Sequence, residues 1–152
     1  MSVYNRDIRQ YIGRSVVFKI KAAVMARNEA GEVLLLKRPG RDVWGLPIGG
    51  IKPGESMEEA AARELWEESG HHAGELELLD LLSGRDYVKK HVNGDEEYYV
   101  IGVYAAHGLK SVIDLPEESD TSMKYFAGDA LPVTDGLTTR ILHKLLGQPD
   151  ES

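Results

Sequence analysis

The chain contains no cysteine. Disulfides, thiol catalysis, iron–sulfur clusters and Cys-ligated zinc are therefore excluded. It has no long hydrophobic run. The longest stretch without a charged side chain, Tyr98 to Leu109, falls short of the roughly 18 apolar residues that a membrane span needs. The N-terminal MSVYNRDIRQ is too polar for a secretory signal. The expected location is the cytoplasm, with no membrane partner. Basic residues are in deficit: Lys plus Arg is 18 against 25 Asp plus Glu, for a net charge of −7. A net-acid surface repels phosphate backbones, so no nucleic-acid partner is expected. A small anionic ligand held through a metal stays open. There is no internal repeat and no low-complexity tract.

What is present fits a soluble globular protein. The 152 residues are 42% hydrophobic and 28% charged, which argues against a mostly disordered chain. The length suggests one domain, residues 1–152. The charged ends, MSVYNRD and GQPDES, are expected to fray.

Val16 to Met25 is apolar with Lys19 and Lys21 alternating among apolar positions, and reads as a strand. After a turn at Asn28–Gly31, Glu32 to Lys37 reads as a second, central strand. Arg38 to Gly54 carries so many Pro and Gly residues that most of it reads as a long loop, and such loops are often functional. Ser56 to Ser69 is the clearest helix. Ser56 and Glu59 form a capping box, the alanines favour helix, and Gly70 is placed to end it. Leu76–Leu82, Glu97–Ala106 and Met123–Phe126 read as strands, with turns at Ser83-Gly84 and Asn93-Gly94-Asp95. Leu115 to Ser122 reads as an acidic loop, and Thr134 or Asp135 caps a last helix to about Leu146. Strands, helix, strands, helix is the order of an α/β protein with a mixed sheet and helices packed on it.

The acidic helix is the informative feature. Glu64, Glu67 and Glu68 stand at i, i+3 and i+4, on one helix face. Each like-charge neighbour pair costs about 0.2–0.5 kcal/mol in an isolated helix. Glu67 and Glu68 also lie in the last turn, where the helix dipole disfavours negative charge. Only Arg63 offsets this charge within the helix. Two readings stand: a solvated acidic face, or oxygen ligands for Mg²⁺ or Mn²⁺.

At this point the sequence resembles the Nudix hydrolase superfamily, the MutT-like nucleoside diphosphate-X pyrophosphohydrolases. Gly49, five residues, Glu55, seven residues and then Arg63-Glu64-Leu65-Trp66-Glu67-Glu68-Ser69-Gly70 reproduce the family box. His71 replaces its last apolar position, Ile48 precedes Gly49 where many members have Gly, and Lys52 sits where an acid is common. The resemblance implies a Nudix fold, an α/β/α sandwich with a mixed β-sheet. It implies Mg²⁺-dependent hydrolysis, with Mn²⁺ as an alternative ion. The substrate would be a small nucleotide, a nucleoside triphosphate or an ADP-ribose-like compound first. Glu64, Glu67 and Glu68 would be metal ligands, the Gly49 carbonyl would complete the set, and Glu67 or Glu68 would serve as base. Arg63 would orient a carboxylate. Glu55 would receive help from the helix N-terminus.

A further acid from a loop is a family device. Here Glu118 is the first choice, ahead of Glu117 and Asp120. Trp44, Tyr87, His91, Tyr98 and Tyr99 are either base-stacking residues or core. Lys37, Arg38 and Arg41 either meet phosphates or are solvated; Arg38, Arg41 and Trp44 form the expected substrate-binding set. A homodimer is expected by analogy with relatives. The rival function is a non-catalytic nucleotide-sensing module.

Overall fold

The computed structural model describes residues 15–111 and 121–147. In chain order the elements are β1 (Val16–Ala26), β2 (Val33–Lys37), β3 (Ile48–Gly50), α1 (Met57–Ser69), β4 (His71–His72) and β5 (Glu75–Leu82). There follow β6 (Val88–Lys90), β7 (Glu96–His107), β8 (Lys110–Ser111), β9 (Ser122–Phe126) and α2 (Gly136–Leu146).

The main sheet runs β3-β1-β7-β5, and β6 also pairs with β7. Strands β1 and β7 are parallel from Val16↔Glu96 to Ala26↔Ala106. The other pairings of this sheet are antiparallel. The sheet is thus mixed. A parallel pair cannot be closed by a tight turn, and the connection between β1 and β7 carries α1.

Side chains alternate along β1 as a strand requires. Ala22, Val24 and Ala26 join a cluster with Ala60, Ala61 and Leu65 of α1. Ala23 and Met25 join the opposite cluster, with Ile141 and Leu142 of α2. Each face of the sheet is therefore covered by one helix, which gives the α/β/α layering. On the α1 side Gly102 leaves room for Met57. A Cβ there would lie 2.7 Å from the Met57 Cε.

Strand β2 departs from the expectation of a central strand. It pairs along its length with β9, in a separate two-stranded sheet. The run VLLL is buried throughout because both cores reach it. Leu34 packs in the α1-side cluster, and Val33 and Leu35 in the other. An unbroken apolar run reports burial on both faces, not rank within one ladder. The long breaker-rich stretch also holds a strand. Ile48–Gly50 forms β3 and pairs with Lys21–Ala23 of β1.

Both helices begin and end as their sequence signals require. Ser56 caps α1 and Asp135 caps α2, where the Asp135 carboxylate accepts from the Thr138 amide at 2.7 Å. Gly70 and Gly147 close them in the left-handed conformation, which costs glycine little. Among the described residues no helix is long and apolar enough to cross a membrane.

Candidate functional site

The site is built where the second half of α1 meets the edge strand β3. The capping box fixes the helix entry. Ser56 Oγ accepts from the Glu59 amide at 3.0 Å, and Glu59 Oε1 accepts from the Ser56 amide at 3.0 Å. Two turns later the same helix face presents Arg63, Glu64, Glu67 and Glu68.

Arg63 ties three segments together. Its Nε and Nη2 donate to the two carboxylate oxygens of Glu55 at 2.7 and 3.0 Å. Its Nη2 also donates to the Gly50 carbonyl at 2.8 Å. Its Nη1 donates to Glu64 Oε1 at 2.7 Å and Glu67 Oε2 at 3.3 Å. Only a forked guanidinium can do this. Glu55 Oε1 accepts from the Lys52 amide as well, at 3.0 Å. The Arg63 hydrogen bonds, with that amide, hold the Glu55 carboxyl at about 2, well below the usual range. The hydrogen-bond partners that hold Glu55, directly before the Ser56 cap, are thus Arg63 and a loop amide.

Glu64 is buried, with 8% of its surface exposed. Its carboxylate rests on the Cα of Gly49. A Cβ on that glycine would stand 2.1 Å from Glu64 Oε1. Glycine is required here for close approach and not for an unusual backbone, because Gly49 is not among the positive-φ glycines. Glu68 reaches the same strand. Its Oε2 accepts from the Ile48 amide at 3.2 Å, and Arg38 Nη2 donates to its Oε1. Burial pushes the Glu68 carboxyl up to about 7, with the Glu64 charge adding and Arg38 opposing. Glu67 is exposed and leans on Arg63.

Among the described residues no three Asp, Glu or His side chains converge into a ready metal cage. Glu67 and Glu68 are turned toward Arg63 and Arg38. The donor chemistry nevertheless fits a divalent cation. Two carboxylates crowd one strand edge, and a third is exposed and free to turn. All are hard oxygen donors, the type Mg²⁺ and Mn²⁺ take. A cation would also relieve the like-charge pressure on Glu68.

The remaining sequence candidates are dispersed. Arg38 sits on Glu68. Arg41 is exposed nearby, its amide donating to the Arg38 carbonyl at 3.2 Å. Trp44 packs edge-on against Phe126, ring centroids 5.0 Å apart, at the margin of the α2-side core. Tyr87 and Tyr99 are in that core, and Tyr98 tilts against Phe18. Glu117, Glu118 and Asp120 lie outside the described residues. A cavity of about 920 Å³ lined by Arg27, His71, His107 and Tyr125 includes none of the motif's acids or Arg63. Room alone does not make a site, and the concentration of charged side chains is at α1. The Gly50 carbonyl contact had one sequence signal, the second glycine of the Gly49-Gly50 pair.

A family model described as the NUDIX domain matches residues 17–138. The chain belongs to the Nudix family. A Bacillus subtilis (strain 168) protein whose name refers to 8-oxo-dGTP diphosphatase is 50% identical over 52 residues. That match covers 34% of this chain and 35% of that protein. An RNA pyrophosphohydrolase from Psychrobacter cryohalolentis is 42% identical over 62 residues, 41% of this chain and 36% of its own length. The chain thus spans about a third of these curated relatives. The crystal structure of a MutT NUDIX hydrolase from Burkholderia pseudomallei aligns with a TM-score of 0.65 at 29% identity. It covers 85% of this Nudix chain and 98% of the neighbour. The α/β architecture with a mixed sheet is therefore the Nudix fold.

Proposed function

We propose that this Nudix protein hydrolyses the pyrophosphate of a nucleoside diphosphate linked to a further group, with Mg²⁺ as cofactor. A nucleoside triphosphate or an ADP-ribose-like compound is the favoured substrate. One observation carries the reading: Arg63 locks Glu55, Glu64 and the Gly50 carbonyl into one frame. The names of the relatives, a MutT NUDIX hydrolase and an RNA pyrophosphohydrolase among them, support the same chemistry.

Glu64, Glu67 and Glu68, with the Gly49 carbonyl, would hold the cation. When bound, Mg²⁺ neutralises phosphate charge and makes a bound water more acidic. The chain's own residues do the rest. Arg63 fixes Glu64 against Gly49 and keeps Glu55 ionised. Glu67 or Glu68 accepts a proton from the attacking water. The water oxygen bonds to phosphorus, the bridging P–O bond breaks, and the departing phosphate leaves with its electron pair. Arg38, beside Glu68, and Arg41 face the anion.

Phosphate release from a nucleotide panel, with and without Mg²⁺, compares wild type with Glu67→Gln. Mg²⁺-dependent turnover that the variant loses by about 10² or more is expected. Tight nucleotide binding without turnover across the panel would replace this reading with a sensing module.

A further inference from the structure

Lys21 is placed differently from the other cations near the site. Strand alternation puts Lys19 and Lys21 on the same face as Ala23 and Met25, which is the α2 side. Lys19 is neutralised there. Its Nζ lies 2.9 Å from Glu97 Oε1, and Glu97 is fixed from below by the Tyr99 hydroxyl, which donates to Oε2 at 2.8 Å. Lys21 is half-buried and has only the ring of Tyr99 beneath it, 4.9 Å from Nζ to centroid. Among the described residues it forms no ion pair with a carboxylate. Its surroundings are partly cationic. Burial lowers its pKa first, with Lys19 and Lys89 adding to this, while the charges of Glu97 and Glu64 raise it. An aromatic face offsets only part of what a half-buried ammonium loses in hydration.

Its position gives the reason such a residue would be kept. Lys21 is the cross-strand partner of Gly50. The Gly50 carbonyl is the one Arg63 grips, and the adjoining Gly49 seats Glu64. A cation with no ion-pair partner among the described residues therefore stands one ladder step from the Gly49 seat of Glu64, within reach of the Glu64 charge. The acids need a metal to accept an anion; Lys21 does not.

We propose that Lys21 binds a phosphoryl group of the substrate beyond the two that flank the cleaved bridge, and so selects longer phosphate chains over a bare diphosphate. This rests on the pyrophosphohydrolase reading only for where the cleaved bridge lies. Of the neighbouring cations, Lys19 is held by Glu97, Arg63 is fully used by the protein itself, and Lys89 is exposed on β6, so among the described residues Lys21 is the half-buried cation left beside the Gly50 position.

The test uses inorganic pyrophosphate and inorganic tripolyphosphate as probes, titrated calorimetrically into the full chain with Mg²⁺ present. Lys21→Met keeps the stem and removes the charge. It is expected to weaken tripolyphosphate at least tenfold and pyrophosphate less than twofold, with an unchanged or raised Tm. Lys21→Arg should stay within about threefold of wild type for both probes, and Lys19→Met, whose charge is already spent on Glu97, within twofold. Lys21→Gln carries the same expectation if Lys21→Met does not fold. Equal tripolyphosphate affinity in wild type and Lys21→Met overturns the proposal. So does equal loss of both probes, or a wild type that binds neither. A wild type that binds tripolyphosphate through Lys21 yet hydrolyses nothing in the nucleotide panel refutes the pyrophosphohydrolase reading and leaves this one standing.

Discussion

Adding one carbon at Gly49 tests the site's construction most directly. In Gly49→Ala the new Cβ would lie 2.1 Å from Oε1, 2.2 Å from Cδ and 2.5 Å from Oε2 of Glu64. Non-bonded heavy atoms settle at about 3.5–4.0 Å, so the carboxylate must retreat by more than about 1 Å. It has little room, since Glu64 is 8% exposed and held by Arg63 at 2.7 Å. The backbone contributes nothing to the penalty, because Gly49 has no positive φ. Overpacking of this kind costs about 1–3 kcal/mol. For a chain of this size that lowers Tm by about 2–12 °C. The functional effect is larger, because a 1 Å misplacement of a reacting group costs about 10²-fold in rate. The assays are thermal unfolding, Mg²⁺ calorimetry and nucleotide turnover on the same samples. Glu64→Ala in the Gly49→Ala background supplies the control. With the clashing carboxylate gone, the alanine at 49 should cost almost nothing further, a coupling of about 0.5–3 kcal/mol. If Gly49→Ala alone keeps its Tm within about 1 °C and its turnover within threefold, the close seat of Glu64 on Gly49 is not what positions the acid, and the reasoning fails.

Three other outcomes are expected. Arg63→Lys keeps the charge but cannot fork between Glu55, Glu64 and the Gly50 carbonyl; turnover should fall by at least tenfold while the helix content by circular dichroism holds, and wild-type kinetics in this variant would remove Arg63 from its organising role. Ser56→Ala removes one half of the capping box and should cost about 0.5–2 kcal/mol in urea unfolding; a loss below that range would mean that the sheet contacts alone hold the helix entry. The Glu97 carboxyl is held at about 2, first by Lys19 and then by the Tyr99 hydroxyl. Its folded value lies below its unfolded one, so its stabilisation is full above about pH 4.5 and fades as pH falls toward 2. The Tm gap between wild type and Lys19→Met should therefore be constant from pH 6 to 8 and narrow below pH 4; a gap that widens with acid would refute the pairing.

The parts of the site that were legible in the sequence are those written in short range. The Ser56 and Glu59 cap, the Gly70 stop and the shared face of Glu64, Glu67 and Glu68 follow from helical spacing, and the structure places them so. The parts that were not legible depend on pairing across the chain. Strand β3 is three residues long and lies among Gly and Pro; only β1 alongside makes it a strand. The burial of VLLL was readable, but its β9 partner lies more than eighty residues away in sequence. Glu55 precedes the helix, so help from the helix N-terminus was the local expectation. The observed bonds to Arg63 require two turns of helix to carry the guanidinium back over the loop. Lys19 and Lys21 look alike in sequence. Only the register of β7, which sets Glu97 beside one and Tyr99 under the other, separates them.

The two sides of the sheet are packed with residues of different size, and this bears on the chemistry. Leucine, isoleucine and methionine fill the α2 side, whereas Ala22, Ala26, Ala60, Ala61, Ala106 and Gly102 dominate where α1 lies. Alanine and glycine at these positions keep the contact surfaces of helix and sheet low. They let the helix axis settle close enough for a glutamate on the helix flank to touch the backbone of the neighbouring strand. The reach of Glu64 to Gly49 is thus set partly by the small residues between α1 and the sheet, which carry no functional group of their own. Close-packed interiors transmit such dimensions with little slack. A chain that enlarged one of those alanines would keep every acid and arginine of its motif and still hold them at the wrong height.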